Sequence, residues 1–599
     1  MRRSERRGSI WGRLKWPVIG MSALLLAACD TAPPKPPPPP PRPAVITVPA
    51  PAPVASAAPA VPAASAASAS APARPAVLAP DGTPMPYAAV VAARFPDPPV
   101  AYRTPAFAAG RHTFTSNAEV YDLLRGLARE PAGNGAGTTA RLLTIGHSQN
   151  GTPIFALLYA RGPDVSPAGL RRAGKPTVLL VGQQHGDEPA GAEALLVVAQ
   201  QLSGGPLAPL LEKINVIVLP RANPDGAQAG TRASTSGIDV NRDHLLLKTP
   251  EAQAQASIAR DYRPAVVVDA HEYTVVGRYL EKFGTVQRFD ALLQYAMTAN
   301  EPEFVTRAAE EWFRLPAVAA LKREGLTSEW YYTTTMDLAD RKVSMGGTQP
   351  DTGRNVNGLR NAVSFLVETR GVGIGRLHLA RRVHTHVVAI TSILRSTAER
   401  GADLMKLRSY VDNEVSRKAC QGEMAVEAGP TPSEYALQMI DPETGADRTV
   451  AVPWDSALEL RVLRQRLRPC GYWLAADQAD AVRKLRGLGA IVQRFEESGT
   501  LRGEAYRETA RENGTRQDVR GALFDGADML HVKVETVPTL LDVPAGSFYV
   551  PLDQPLGNLI VAALEPDTQN SYLASRIVSG VDRQARALAR PDVKLSLLP

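Results

Sequence analysis

His185 and Glu188 stand three residues apart in Val181-Gly182-Gln183-Gln184-His185-Gly186-Asp187-Glu188, on the turn expected to leave a β-strand. At that spacing an imidazole and a carboxylate can face one point in space, which suits two ligands of a zinc ion. A second histidine, His271, ends the apolar run Val266-Val267-Val268-Asp269-Ala270-His271. With His185 and Glu188 it completes a His2Glu set whose fourth position stays open for water, the pattern of a catalytic zinc rather than a structural one. A further carboxylate, Glu368, emerges from Phe365-Leu366-Val367-Glu368-Thr369-Arg370-Gly371. His271 and Glu368 each have a plainer alternative: His271 as a hydrogen-bonded core histidine, Glu368 as an ion-pair partner of Arg370.

These residues need elements that bring them to one place. Short β-branched runs supply strand candidates at Leu142–Gly146, Ile154–Ala160, Thr177–Gln183, Ile214–Leu219, Ala265–Asp269 and Ser364–Glu368. Helical patterns fall between them, at Ala190–Leu202 and Thr249–Arg260. Buried-looking strands alternating with helices predict an α/β fold with a mixed, largely parallel central sheet flanked by helices. In such sheets ligands bind beyond the carboxyl ends of the strands, where these side chains would converge.

The intervening polar segments are Arg221-Ala222-Asn223-Pro224-Asp225-Gly226, then Arg232, then Asp239-Val240-Asn241-Arg242-Asp243. The ordered set of HGDE, NPDG, an arginine, NRD, a strand-borne His and a late strand-borne Glu resembles the zinc carboxypeptidase (M14, funnelin) superfamily over roughly residues 110 to 400. The resemblance implies one Zn²⁺ per chain, held by His185, Glu188 and His271. It implies that Glu368 is the general base that takes a proton from the zinc-bound water and passes it to the leaving amine. Arg232 matches the arginine that polarises the scissile carbonyl, with Arg221 as a competing candidate. Asn241 and Arg242 match the pair that grips the substrate's terminal carboxylate. The Asn-Pro-Asp-Gly segment itself reads as a turn.

The chain also departs from the digestive members of that superfamily. Their mobile Tyr lies about two dozen residues before the catalytic Glu, where this chain has Ser344-Met345-Gly346-Gly347-Thr348. Tyr331 and Tyr332 come too early for that role. Residues Gly346 to Asn355 read as a loop at the cleft, with Arg354 either recognising an anionic substrate group or solvated.

The ends of the chain add localisation and accessory structure. Residues 1 to 28 carry six Lys/Arg against Glu5, so most of the net charge of +7 lies there and about +2 remains on the rest. That balance gives no electrostatic footprint for nucleic acid. A basic start and the apolar run Trp16 to Ala28 form a signal peptide, too short to span a bilayer as a mature helix. The sequence Leu26-Ala27-Ala28-Cys29 resembles a bacterial lipobox, which implies lipidation of Cys29 and a periplasmic, membrane-anchored protein. Asp30 would favour the inner membrane. Residues 29 to 83 form a Pro/Ala-rich tether. The catalytic domain is expected over 84–410 and an accessory α/β domain over 411–599. The accessory domain resembles the C-terminal extension of large bacterial peptidases and carries no nucleophilic constellation, so its expected role is scaffolding or substrate selection. Short mixed elements are expected from about Ala425. Cys420 and Cys470, in an oxidising compartment, are either a disulfide or two buried thiols.

The expected function is a zinc-dependent metallocarboxypeptidase of the cell envelope, with a peptide bearing a free C-terminus as its partner. The alternatives are a zinc amide deacylase of the aspartoacylase or desuccinylase type, or an amidohydrolase of cell-wall stem peptides. Oligomeric state is not legible.

Overall fold

Runs of Val, Leu and Ile too apolar for a half-exposed strand pair into a sheet covered on both faces, and that sheet sets the site. The computed structural model describes residues 85–129, 138–162, 164–518, 520–522 and 528–598. The expected signal peptide, Cys29, Asp30 and the tether lie outside the described residues. Eight strands form the central sheet: β1 (Thr138–His147), β2 (Pro153–Arg161), β3 (Thr177–Gly182), β4 (Asn215–Leu219), β5 (Val266–Thr274), β6 (Ala291–Tyr295), β7 (Ser328–Trp330) and β8 (Val363–Val372). Their spatial order is β1-β2-β4-β3-β5-β8-β6-β7. The four central strands β4, β3, β5 and β8 run parallel, whereas β1-β2, β2-β4 and β8-β6 are antiparallel. The six expected strands are therefore all present, in the mixed sheet that alternating helices and buried strands predict.

Every residue of β3 and β4 is buried. Each such Val or Leu contributes about 1.5–3 kcal/mol relative to leaving it in water. The helices α1 (Pro189–Gly204), α2 (Pro250–Tyr262) and α3 (Leu379–Glu399) flank the sheet. Both α1 and α2 open with Pro at the first helical position, where its missing N–H costs nothing. Thr249 caps α2 by accepting a hydrogen bond from Ala252 N at 3.2 Å.

Because β3, β5 and β8 are parallel, their carboxyl ends share one edge. Registration then fixes the rest. Gly182 pairs with Ala270, and His271 pairs directly with Glu368. A one-residue slip of β8 would turn Glu368 to the opposite face.

The region after Ala425 contains the expected short elements, as strands Gly471–Leu474, Gln493–Phe495 and Phe548–Pro551 and helix Ala479–Gly487, but is not made of them alone. Two long hairpins dominate it: β9 (Glu423–Ile440) with β10 (Asp447–Leu467), and β11 (Gly499–Thr515) with β12 (Asp528–Val543). Over stretches such as residues 461–463 and 509–513 consecutive residues are exposed on both faces, so the apolar/polar alternation of a half-buried strand is missing there. The strand β10 pairs with Val343–Met345, and β9 pairs with Val286–Gln287, so sheet structure is shared between the early and late parts of the chain. Cys420 and Cys470 form a disulfide with Cα atoms 4.2 Å apart, settling that alternative in favour of the bridge.

Candidate metal centre and active site

The turn after β3 is held by backbone-to-backbone contact with the Asn-Pro-Asp-Gly segment. That segment is not a free turn: Asn223 caps a short helix, Pro224–Ala229, because Pro at the first position is pre-set for helix and the Asn side chain takes an unpaired N–H. A Cβ on Gly186 would lie 1.9 Å from the Gly226 carbonyl carbon, so no larger residue fits between the two segments. Asn223 fastens them, accepting from Gly226 N at 2.9 Å and donating to the Gln184 carbonyl at 3.2 Å. This helix start, expected as a turn, positions the metal-ligand loop.

His185 Nδ1 lies 2.8 Å from Glu188 Oε1, and His271 Nδ1 lies 2.7 Å from Glu188 Oε2. The two Nδ1 atoms are 3.0 Å apart. All three residues are buried, and they are the group among the described residues that could hold a metal ion. Zinc draws N and O ligands at about 2.0–2.2 Å, and three donors spaced this closely can all reach one such ion. The residues fit the group.

The outer nitrogens of both imidazoles meet carboxylates. His185 Nε2 is 3.0 Å from Asp239 Oδ1, and His271 Nε2 is 2.9 Å from Asp269 Oδ1. Such partners fix the tautomer that leaves Nδ1 free to ligate. Asp269 is in turn held by Gln184 Nε2 at 2.6 Å, and Gln184 by His244 at 2.6 Å. Neither carboxylate was assigned this role from sequence. Asp269 had a signal, since residues i and i+2 of a strand share a face. Asp239 lay within a quoted motif.

A cavity of about 250 Å³ opens on the cluster, lined by His185, Glu188, Arg232, Asn241, Arg242 and Glu368 among others. Burial, aided by the nearby Glu188 carboxylate, pushes Glu368 up to about 7, against the pull of His271, His185 and Arg232. A bound cation would lower it again. Glu368 makes no pair with Arg370, which instead lies over the Phe95 ring at 3.4 Å.

Of the two competing arginines, Arg232 is the one at the cluster. Its Nη1 lies 3.2 Å from Glu188 Oε1, and its Nε donates to Asp239 Oδ2 at 3.0 Å. Arg221 is used up elsewhere, donating to Gln183, Asn117 and the Thr115 carbonyl at 2.7–2.8 Å.

Asn241 and Arg242 also line the cavity but are engaged by the protein. Asn241 Oδ1 accepts from Gly353 N at 2.8 Å, and its Nδ2 lies 3.1 Å from His271 Nε2. Arg242 Nη2 donates to Asp518 Oδ2 at 2.6 Å. Asp518 comes from the tip of the β11–β12 hairpin, as does Arg520, another cavity-lining residue. Nothing local in the sequence around Asp518 marks it for this place. Tyr331, set aside on spacing, also lines the cavity, and burial together with Glu368 pushes its hydroxyl up to about 12, so it stays a hydrogen-bond donor. Arg354 is neither solvated nor in a loop: it is buried in the first turn of a short helix, Gly353–Gly358.

An open His2Glu set beside a buried carboxylate, at the carboxyl edge of a parallel sheet, defines a metal-dependent hydrolase. Residues 135–375 match the family model described as zinc carboxypeptidase (Peptidase M14). The chain is 26% identical over 408 residues to carboxypeptidase 2 of Trichophyton equinum, covering 67% of this chain and 74% of that protein. It is 30% identical over 210 residues to carboxypeptidase SOL1 of Arabidopsis thaliana, covering 32% and 41%. Among solved structures it is similar to a metallo-carboxypeptidase from Burkholderia cenocepacia, with 16% identity, 47% and 68% coverage and a TM-score of 0.34. Residues 135–375 are a zinc carboxypeptidase domain of the M14 family, and the protein is a zinc-dependent peptide-bond hydrolase.

Proposed function

We propose that the protein is a metallocarboxypeptidase that removes C-terminal residues from peptides in the cell envelope, with Glu368 as its general base. The observation that carries the mechanism is the direct register of Glu368 with His271 across β8 and β5, which sets the carboxylate beside the ligand cluster inside the cavity. His185, Glu188 and His271 would hold the zinc, which when bound supplies the Lewis acidity that activates water and polarises the scissile carbonyl at neutral pH.

The remaining work belongs to the chain. Glu368, ionised, takes a proton from the attacking water and returns it to the leaving amine. Arg232 sits where its guanidinium can meet negative charge developing on the carbonyl oxygen, and Asp239 holds it there. Asp239 and Asp269 keep the imidazoles in their ligating tautomer. The envelope location rests on the basic start, the apolar run and Cys29. A lipid on Cys29 would anchor the protein at the periplasmic face, with Asp30 favouring the inner membrane.

Incubation of the zinc-loaded protein with a peptide mixture, followed by mass spectrometry, tests the activity. Stepwise loss of single C-terminal residues is expected. Cleavage of N-acyl amino acids with peptides untouched would replace this reading with the deacylase. Mass analysis of the N-terminal peptide from membranes tests the anchor, and an unmodified Cys29 would contradict it.

A further inference from the structure

Five guanidiniums line the catalytic cavity: Arg232, Arg242, Arg278, Arg354 and Arg520. Three are ion-paired within the protein. Arg232 pairs with Glu188 and Asp239, and both Arg242 and Arg520 pair with Asp518. Arg278 and Arg354 have no carboxylate partner among the described residues. Arg278 donates to the Thr334 carbonyl at 2.8 Å. Arg354 is only 4% exposed, yet its bonds are one to the Gly347 carbonyl at 2.9 Å and a long one to Asn355 at 3.4 Å. Its Nη1 has no hydrogen-bond partner among the described residues.

A buried guanidinium without a counter-charge is costly to keep. Burial pulls Arg354 down to about 10, the direction expected of a cation missing its anion. Arg354 is not the only buried arginine lacking a carboxylate: Arg360, Arg370 and Arg468 also keep side-chain nitrogens without a hydrogen-bond partner among the described residues. Arg354 differs in lining the space that substrate must enter.

The peptidase reading, on which this inference rests, brings one carboxylate into the cavity. Two guanidiniums await one. We infer that the preferred substrate ends in an acidic residue, whose side chain brings a second carboxylate, and that Arg354 receives one of the two while Arg278 receives the other. Planar N–H pairs on a carboxylate give both charge and orientation. Asp518 already occupies Arg242, so the incoming carboxylates are left to the two unpaired arginines.

The test compares acetyl-Ala-Ala-Glu with its uncharged isostere acetyl-Ala-Ala-Gln and with the α-amide of the Glu peptide. Binding is measured by calorimetry on zinc-loaded Glu368→Gln, and hydrolysis on the wild type. Binding to Glu368→Gln decides the inference even if the wild type cleaves nothing, a failure that would count against the peptidase reading alone. The expected result is at least about tenfold preference for Glu over Gln in Kd and in kcat/KM. In Arg354→Gln, loss of that preference with the Gln peptide unaffected assigns Arg354 to the side chain. An equal loss on Glu and Gln peptides, with the α-amide already weak in the wild type, assigns it to the terminal carboxylate. Arg354→Lys, with zinc content checked, should recover part of either loss. Equal binding of Glu and Gln peptides by the parent protein would overturn the inference, as would an Arg354→Gln protein that folds, holds zinc and behaves as wild type.

Discussion

Asp518 rests on Arg242, carboxylate oxygen to guanidinium nitrogen at 2.6 Å, although 276 residues separate them. The pair is nearly sealed, with Asp518 at 1% and Arg242 at 12% side-chain exposure. Arg516, two residues earlier, is ion-paired with Asp351 at 2.6 Å, and Met336 N donates to the Arg520 carbonyl at 2.9 Å. The β11–β12 tip is therefore fastened to the wall of the cavity by several bonds, and it places a carboxylate where a peptide's own carboxylate would compete for the same arginine.

That competition has a kinetic consequence. Asp518→Asn leaves the shape of the tip but removes the charge, freeing Arg242 for an anionic ligand. KM for a peptide ending in Glu should fall about three- to tenfold, with the charge-assisted bond accounting for the size of the effect. Steady-state kinetics checks this, and an increase in KM would show that Asp518 aids substrate binding instead.

The outer carboxylates should govern metal affinity without touching the metal. Asp239→Asn and Asp269→Asn each remove a charged partner of an imidazole Nε2 and should weaken zinc binding by about 10–100-fold. Competition against a chromogenic chelator measures it. Unchanged affinity in both variants would mean that the ligand geometry is set by the β-sheet and the clamped turns alone.

Acid should weaken the fold through buried neutral histidines. Burial holds His378 down to about 4 and His386 down to about 3, with nearby arginines acting in the same direction. An unfolded histidine titrates near 6.5, so between about 6.5 and 4 the unfolded chain takes up protons that the folded chain refuses. The stability these groups contribute is complete above about 6.5 and is lost progressively as pH falls toward the folded values. Urea melts from pH 7.5 to 4.5 should show a falling midpoint. For His386→Gln the fall should be shallower; an identical slope would contradict this account.

The Cys420–Cys470 bridge closes a loop between residues separated by 50 positions. Chain-entropy reasoning assigns such a loop about 4 kcal/mol of stabilisation. Replacing both cysteines with serine should lower the unfolding free energy by roughly 2–5 kcal/mol. The zinc ligands lie outside the cross-linked loop, so metal stoichiometry should hold. A loss below about 1 kcal/mol in denaturant melts would show that the unfolded chain is already constrained there.

The sheet was legible because its signal is local: buried strands such as Thr177–Gly182 are unbroken apolar runs bounded by turn residues. The ligand triad was legible for the same reason, since His185 and Glu188 share one turn and His271 ends an apolar run. Its precise setting was less so. His271 lies inside β5, which continues to Thr274, because pairing with β8 extends the strand past its apolar part. The preference for Arg232 over Arg221 rested on the order of motifs alone, since only packing shows which of the two reaches the cluster. Tyr331 was discounted on spacing, yet the fold returns it to the cavity. The long hairpins were not legible because parts of them are exposed on both faces and lack a strand's alternation, and Asp518 was not because its partner is distant in the chain.

The central claim is that a zinc-holding His185, Glu188 and His271 cluster works together with Glu368 as its proton acceptor. The most direct measurement is zinc content and peptide turnover on the same preparations of wild type, Glu368→Gln and His271→Ala. The account predicts about one zinc per chain in wild type and Glu368→Gln, turnover at least about a hundredfold lower in Glu368→Gln, and little zinc in His271→Ala. A Glu368→Gln protein that turns over peptide at the wild-type rate, or a His271→Ala protein that keeps its zinc, would contradict it.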